Sequence, residues 1–197
     1  DELRAARTVY LHQGEVLVRA KGVEFQRLGL PVSRLTFPSI WLTVRFTTLD
    51  VPDAIPARIV RLMQRWQAAG NQVVGLQVDF DAATHQLADY THFLRALRQQ
   101  LPPNFALGVT GLLDWAKTGD IATLNTLPVD ELVVQSYQGR RTVVNYQDYL
   151  PALTRLRIPF KLGLVQHGKR DSQAEAQLRT SPWYRGTVVF MLNPDAR

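Results

Sequence analysis

The sequence has no cysteine among its 197 residues, which excludes disulfides, thiolate zinc sites and cysteine nucleophiles. Long apolar runs are missing too. None approaches the roughly 20 residues that a membrane-spanning helix needs, so the chain reads as soluble. No apolar stretch follows Asp1-Glu2-Leu3-Arg4-Ala5-Ala6-Arg7, so these residues are not a secretory signal. A mature chain could begin in the same way, which leaves cytoplasm and periplasm both open. No glycine-rich phosphate turn follows any strand-like run, removing the main reason to expect a nucleotide-binding sheet. Histidine and carboxylates never fall at a metal-ligand spacing, so neither a metal site nor another cofactor is expected. Ser39, Ser136 and Ser181 lack the glycine pattern of a nucleophile elbow, which disfavours serine hydrolysis.

Charge of one sign is not lacking: the net charge is +6. The arginines are nevertheless scattered, at Arg58, Arg61, Arg65, Arg95, Arg98, Arg155 and Arg157 among others, mostly at helical spacing on faces that water should cover. Arg140-Arg141 and Lys169-Arg170 are only dipeptides, with no basic stripe and no interleaved aromatics. Solubility, or loose attraction to an anionic polymer, explains this charge better than specific nucleic-acid binding.

Hydrophobic residues make up 46% and charged residues 20%, as in one ordinary globular domain. Thr8–Leu11 reads as a short strand, and Glu15–Arg19 with Gly22–Gln26 as a small hairpin turning at Lys21-Gly22. Strands are expected at 40–46, 73–78, 105–110, 131–136, 160–164 and 188–191. Helices are expected at 54–69, 87–100, 115–124, 146–156 and 172–179. From Ile40 onward the strands return roughly every 30 residues, the length of a strand, a helix and two loops. Their near-continuous apolar character suits a parallel sheet buried on both faces. The expected fold is therefore α/β: one (β/α)8-type TIM barrel over residues 1–197, with one N-terminal strand lacking or modified and the hairpin near residues 15–26.

In such a barrel the C-terminal strand ends form the working face. The polar residues expected there are Gln13, Glu15, Arg45, Gln77, Asp79, Asp81, Asp114, Gln135, Tyr137, Gln138, Gln166, His167 and Asn193. The sharpest feature is Gln77-Val78-Asp79-Phe80-Asp81, where period-2 alternation turns Gln77, Asp79 and Asp81 one way and Val78 and Phe80 the other. Two close carboxylates disturb each other's ionisation, so one can hold a proton near neutrality, and glycoside hydrolysis needs such a pair. The structural alternative pairs Asp79 with Arg45 and has Asp81 cap the next helix. Asp114-Trp115 sets an aromatic beside a carboxylate, suited to a sugar platform or to a helix cap. Tyr137 between Gln135 and Gln138 offers a phenol and amides to a hydroxyl-rich ligand. His167 beside Gly168 and Lys169 is as readily a plain exposed histidine.

Val78-Asp79-Phe80-Asp81 and Gln135-Ser136-Tyr137-Gln138 resemble the two motifs of chitinase-type glycoside hydrolase barrels. In that family a catalytic glutamate stands two residues after the last aspartate, where this sequence has Ala83. The aspartate after the tyrosine is replaced by Gln138. The resemblance extends to Asp79 and Asp81, and the family's general acid has no counterpart. A nearly full-length resemblance is to an uncharacterised bacterial family, domain of unknown function 3142, through Val9–Val16, Gln77–Ala82 and Thr110–Trp115. Its members look exported, which implies a periplasmic or secreted protein whose signal has been removed.

These readings lead to a glycoside hydrolase-like barrel acting on a bacterial envelope or extracellular polysaccharide. Asp81 or Asp114 would be the acid, Asp79 would orient or stabilise charge, and Gln13, Glu15, Arg45, Gln77, Trp115, Gln135, Tyr137, Gln138 and His167 would bind sugar. The alternative is a catalytically silent glycan-binding barrel, favoured by Ala83. A basic polymer binder rests on charge alone. Oligomeric state is not legible.

Overall fold

The structure is a computed structural model that describes residues 2–118 and 120–192. Asn193 lies outside the described residues. In chain order the elements are α1 (Glu2–Ala5), β1 (Thr8–Arg19), β2 (Gly22–Arg27), β3 (Ser39–Phe46), α2 (Ala54–Ala68), β4 (Val73–Asp79), α3 (Leu87–Gln100) and β5 (Ala106–Leu112). They continue with α4 (Leu113–Thr118), α5 (Ile121–Leu124), β6 (Glu131–Gln135), β7 (Tyr137–Gln138), β8 (Arg141–Thr142), α6 (Leu150–Leu153), β9 (Phe160–Val165), α7 (Ser172–Leu178) and β10 (Tyr184–Phe190). No helix among the described residues is long and apolar enough to cross a membrane.

The fold is mixed α/β with an 8-stranded, mostly parallel sheet, and among the described residues no strand pair closes it into a barrel. The strand–helix alternation and the mostly parallel pairing are those expected of an α/β barrel-like fold. β1 is present and pairs in parallel with β3. Along Gly14–Arg19 its other edge is occupied by β2, which turns back at Ala20-Lys21 with Arg19 opposite Gly22.

The chain divides into two compact units, one of residues up to Phe80 with Asp89–Val109, the other of Asp81–Ala88 with the residues from Thr110 onward. In the first unit β1–β3, β3–β4 and β4–β5 are parallel pairs. Register puts Trp41 beside Gly75, Thr43 beside Gln77 and Arg45 beside Asp79, so these residues share one face of the sheet. The opposite face carries Leu42, Val44, Phe46, Leu76 and Val78, all buried. The helices cover it: Phe93 and Tyr90 of α3 meet Phe46 and Phe80 at ring-centroid distances of 5.5 and 5.2 Å. α2 buries Ile55, Ile59, Leu62, Met63 and Trp66, the stripe its 3.6-residue period predicts.

β1 carries a bulge between His12 and Gly14. The extra residue, Gln13, is fully buried, and its Oε1 accepts the Trp66 indole N–H of α2 over 2.8 Å. Its amide nitrogen donates to the Leu30 carbonyl at 3.1 Å. The bulge therefore sends Gln13 toward the helices while His12, opposite Thr43, and Glu15, opposite Arg45, both stay on the other face despite their odd spacing.

In the second unit β6, β9 and β10 run parallel, and β7 and β8 form a small hairpin after β6. Leu132, Val134, Phe160, Leu162 and Leu164 are buried. At the start of these strands Lys161 and Glu131 form an ion pair at 3.1 Å that is largely removed from water.

Candidate functional site

Each unit gathers polar residues at its C-terminal strand ends. In the first unit they make two rows across β1, β3 and β4: His12–Thr43–Gln77, then Glu15–Arg45–Asp79. Thr43 donates its hydroxyl to Gln77 Oε1 over 2.8 Å, and Gln77 is buried. The upper row sets a guanidinium between two carboxylates in register, the arrangement that opposite charges favour on neighbouring strands. Below both rows, Tyr10 and Trp41 stack nearly flat, 5.9 Å apart and 10° from parallel.

In the second unit the carboxylates lie just past their strands. Asp81 is exposed, two residues beyond the end of β4, ahead of a 3-10 turn at Thr84–Gln86. That turn is closed by Gln86, whose side-chain oxygen accepts the Ala83 N–H at 2.9 Å. Asp114 is exposed in the first turn of α4. The next residue, Trp115, is buried and donates its indole N–H to the Ala82 carbonyl over 2.8 Å. This bond ties the residue after Asp114 to the residue after Asp81 and so brings the two carboxylate-bearing segments together.

Around the ends of β6, β9 and β10 lie Gln135, Tyr137 and Phe190. Gln135 stands opposite Gly163, and the Tyr137 ring stacks on Phe190, 5.3 Å between centroids and 25° from parallel. Phe190 is half exposed. Gly163 lies close beneath this pair: a Cβ there would be 3.2 Å from Val133 Cγ1 and 3.5 Å from the Tyr137 ring. Ser136 is fully buried and donates its hydroxyl to the Gly163 carbonyl at 2.7 Å, fixing the chain just before Tyr137. Gln138 is exposed on the β7–β8 hairpin. His167 is exposed, with a left-handed backbone at φ 63°. Gln166 accepts the Leu192 N–H on its side-chain oxygen at 3.1 Å. Thr142 Oγ1 accepts the Lys169 N–H at 3.1 Å, which holds the hairpin against the loop after β9.

Sequence periodicity did not reveal three of these neighbours. His12 joins its row only because of the bulge at Gln13, which needs a partner strand to define it. Thr43 reads as an ordinary β-branched strand residue. Phe190 gains meaning only once Tyr137 lies on it. Among the described residues no group of three potential metal ligands is found.

Residues 33–181 match a family described as a domain of unknown function, DUF3142. The chain belongs to that family. The matched span runs from before β3 to just before β10 and so includes Arg45, Gln77, Asp79, Asp81, Asp114, Trp115, Gln135, Tyr137, Gln138 and His167. No curated protein matches the chain. Among solved structures it resembles the Bacillus cereus spore cortex-lytic enzyme SleL, with a TM-score of 0.52 and 14% identity over 79% of this chain and 43% of that one. The chain thus spans less than half of that structure's length, and at this identity the likeness is one of fold.

Proposed function

We propose that this family member is a glycoside hydrolase-like protein acting on a polysaccharide of the bacterial envelope or extracellular matrix, with Asp81 and Asp114 as its carboxylate pair. The observation that carries this is the Trp115–Ala82 bond, which draws the segments bearing the two exposed acids together. Hydrolysis of a glycosidic bond needs one carboxyl group to protonate the leaving oxygen and a second to activate water or attack the anomeric carbon, about 5–9.5 Å away. The Tyr137–Phe190 stack offers a flat apolar surface to the C–H face of a sugar ring, and Gln135, Gln138 and the phenol offer hydrogen bonds to its hydroxyls. Gln13 and Trp115 act as supports, since their polar groups are held in buried bonds.

An exported location, periplasmic or secreted, follows from a substrate outside the cytoplasm. The resemblance in fold to a spore cortex-lytic enzyme supports a wall glycan.

A catalytically silent glycan-binding protein is favoured by Ala83, which stands where chitinase-type barrels carry their glutamate. Release of reducing sugar from a panel of bacterial polysaccharides by wild type, Asp81→Asn and Asp114→Asn separates the two. Release that either substitution abolishes supports hydrolysis. Retained binding without release supports the silent protein.

A further inference from the structure

The second unit has another concave surface at the opposite ends of its strands. A groove of about 840 Å³ lies beside the starts of β9 and β10, lined by Asp120, Asn125, Arg155, Arg157, Pro182 and Trp183 among others. Its shape is fixed by bonds to the backbone. Asn125 accepts the Arg157 N–H on its side-chain oxygen at 2.6 Å and donates its amide N–H to the Arg155 carbonyl at 3.3 Å. Trp183 is held by its own carbonyl, which accepts the Phe160 N–H at 3.0 Å, and by its N–H, which donates to Ser181 Oγ at 3.2 Å.

Three side chains face outward from this frame. Arg155 and Arg157 are exposed, and neither guanidinium has an ion pair among the described residues. Trp183 is one of the few exposed large apolar residues. Trp66 and Trp115 are fully buried and Trp41 nearly so. The acid in the lining, Asp120, offsets only one of the two guanidinium charges. Asp120 accepts from Ala122 N at 2.9 Å and from the Thr123 hydroxyl at 2.7 Å, which commits its carboxylate to the start of α5. The Thr123 hydrogen bond also holds its pKa below the usual carboxylate value.

We propose that this groove binds a carboxylate-bearing polysaccharide, a uronic-acid type of glycan, at a second site separate from the strand ends that carry Tyr137 and Phe190. Two guanidinium groups two residues apart on a fixed loop suit carboxylates spaced along a sugar chain. A flat indole beside them suits the apolar face of a pyranose ring. A polyphosphate or nucleic acid fits less well, because two guanidinium groups make no continuous basic track for a densely charged backbone.

The test is titration of the whole chain with an oligogalacturonate, followed by tryptophan emission, with dextran as the neutral control. Wild type is expected to show saturable binding with a change in emission, and dextran none. Arg155→Ser with Arg157→Ser should weaken binding by about tenfold or more. Arg61→Ser with Arg95→Ser removes the same charge from exposed faces of α2 and α3 and should leave affinity within about twofold. Trp183→Phe should abolish the emission change. No binding, equal losses in the two double variants, a persistent signal in Trp183→Phe, or tighter binding of polyphosphate or single-stranded DNA would each overturn the proposal. Sugar release dependent on Asp81 is a separate readout, so the two ideas can fail independently.

Discussion

Trp115 and Ala82 are joined by a hydrogen bond from a buried indole N–H to a buried carbonyl, 2.8 Å long. Trp115→Phe keeps most of the ring and removes the donor. It should cost ~1–3 kcal/mol, the usual penalty for a buried acceptor left unpaired, and should loosen the loop that carries Asp81. Urea unfolding measures the first effect. A midpoint unchanged from wild type would remove this bond from the account.

Gln13 and Trp66 should prove coupled. Gln13→Leu leaves the Trp66 indole N–H without a partner, while the Leu30 carbonyl still accepts from the Arg27 guanidinium, a loss of ~1–3 kcal/mol. In Gln13→Leu with Trp66→Phe the indole donor is gone as well, so the double variant should lose less than the sum of the singles. Strict additivity in a double-mutant cycle would show that the bond contributes nothing.

Gly75→Ala should fail to fold or lose more than ~3 kcal/mol. A Cβ at this position would overlap the backbone of Ala106 on the neighbouring strand, which cannot withdraw as a flexible side chain could. Circular dichroism with thermal melting reads this out, and a stable Gly75→Ala protein would mean that β4 and β5 lie further apart.

Alkali should destabilise the second unit through its tyrosines. Burial raises the pKa of Tyr146, and Glu175 and Asp171 push in the same direction against the Asp171 N–H, which donates to the phenol. Burial likewise raises Tyr184. A folded-state pKa above the unfolded value means that the folded chain holds its proton more tightly. Stability from these groups is therefore complete below about pH 10 and falls as pH rises through the folded pKa values. Tyr146→Phe with Tyr184→Phe should flatten that fall in urea-unfolding free energies measured from pH 8 upward. An equally steep decline in the variant would place its origin elsewhere.

The elements with strong periodicity were legible in the sequence. α3 occupies Leu87–Gln100 and α2 Ala54–Ala68, because each apolar stripe recurs over several turns and ends at a breaker. Weaker local codes misled. Thr8–Leu11 and Glu15–Arg19 read as two strands, yet they form one, since the ladder continues across the bulge at Gln13. The expected helix over 146–156 becomes a 3-10 turn at Tyr146–Tyr149 and the short α6, which carries Pro151 in its first turn. β10 begins at Tyr184 rather than Val188, because Arg185, Gly186 and Thr187 dilute its apolar pattern and its geometry comes from pairing with β9. Closure of a barrel depends on which strand edges meet, and alternation of strands and helices does not encode that.

The candidate site was legible in part for the same reason. Gln77 and Asp79 share a face as their spacing implies, with Thr43 and Arg45 as register partners. Asp81 lies past the end of β4, where two-residue alternation no longer sets direction. The tie between its segment and the one that carries Asp114 is a bond from a side chain to a distant carbonyl, which no sequence period marks.

The most direct test of the central claim is reducing-sugar release from purified bacterial envelope and extracellular polysaccharides, with wild type, Asp81→Asn and Asp114→Asn side by side. The account predicts release from at least one glycan, a loss of about 100-fold or more in each variant, as for removal of a general acid or base, and unchanged thermal stability. Release that persists in both variants would contradict it. So would the absence of both release and binding for every glycan tested.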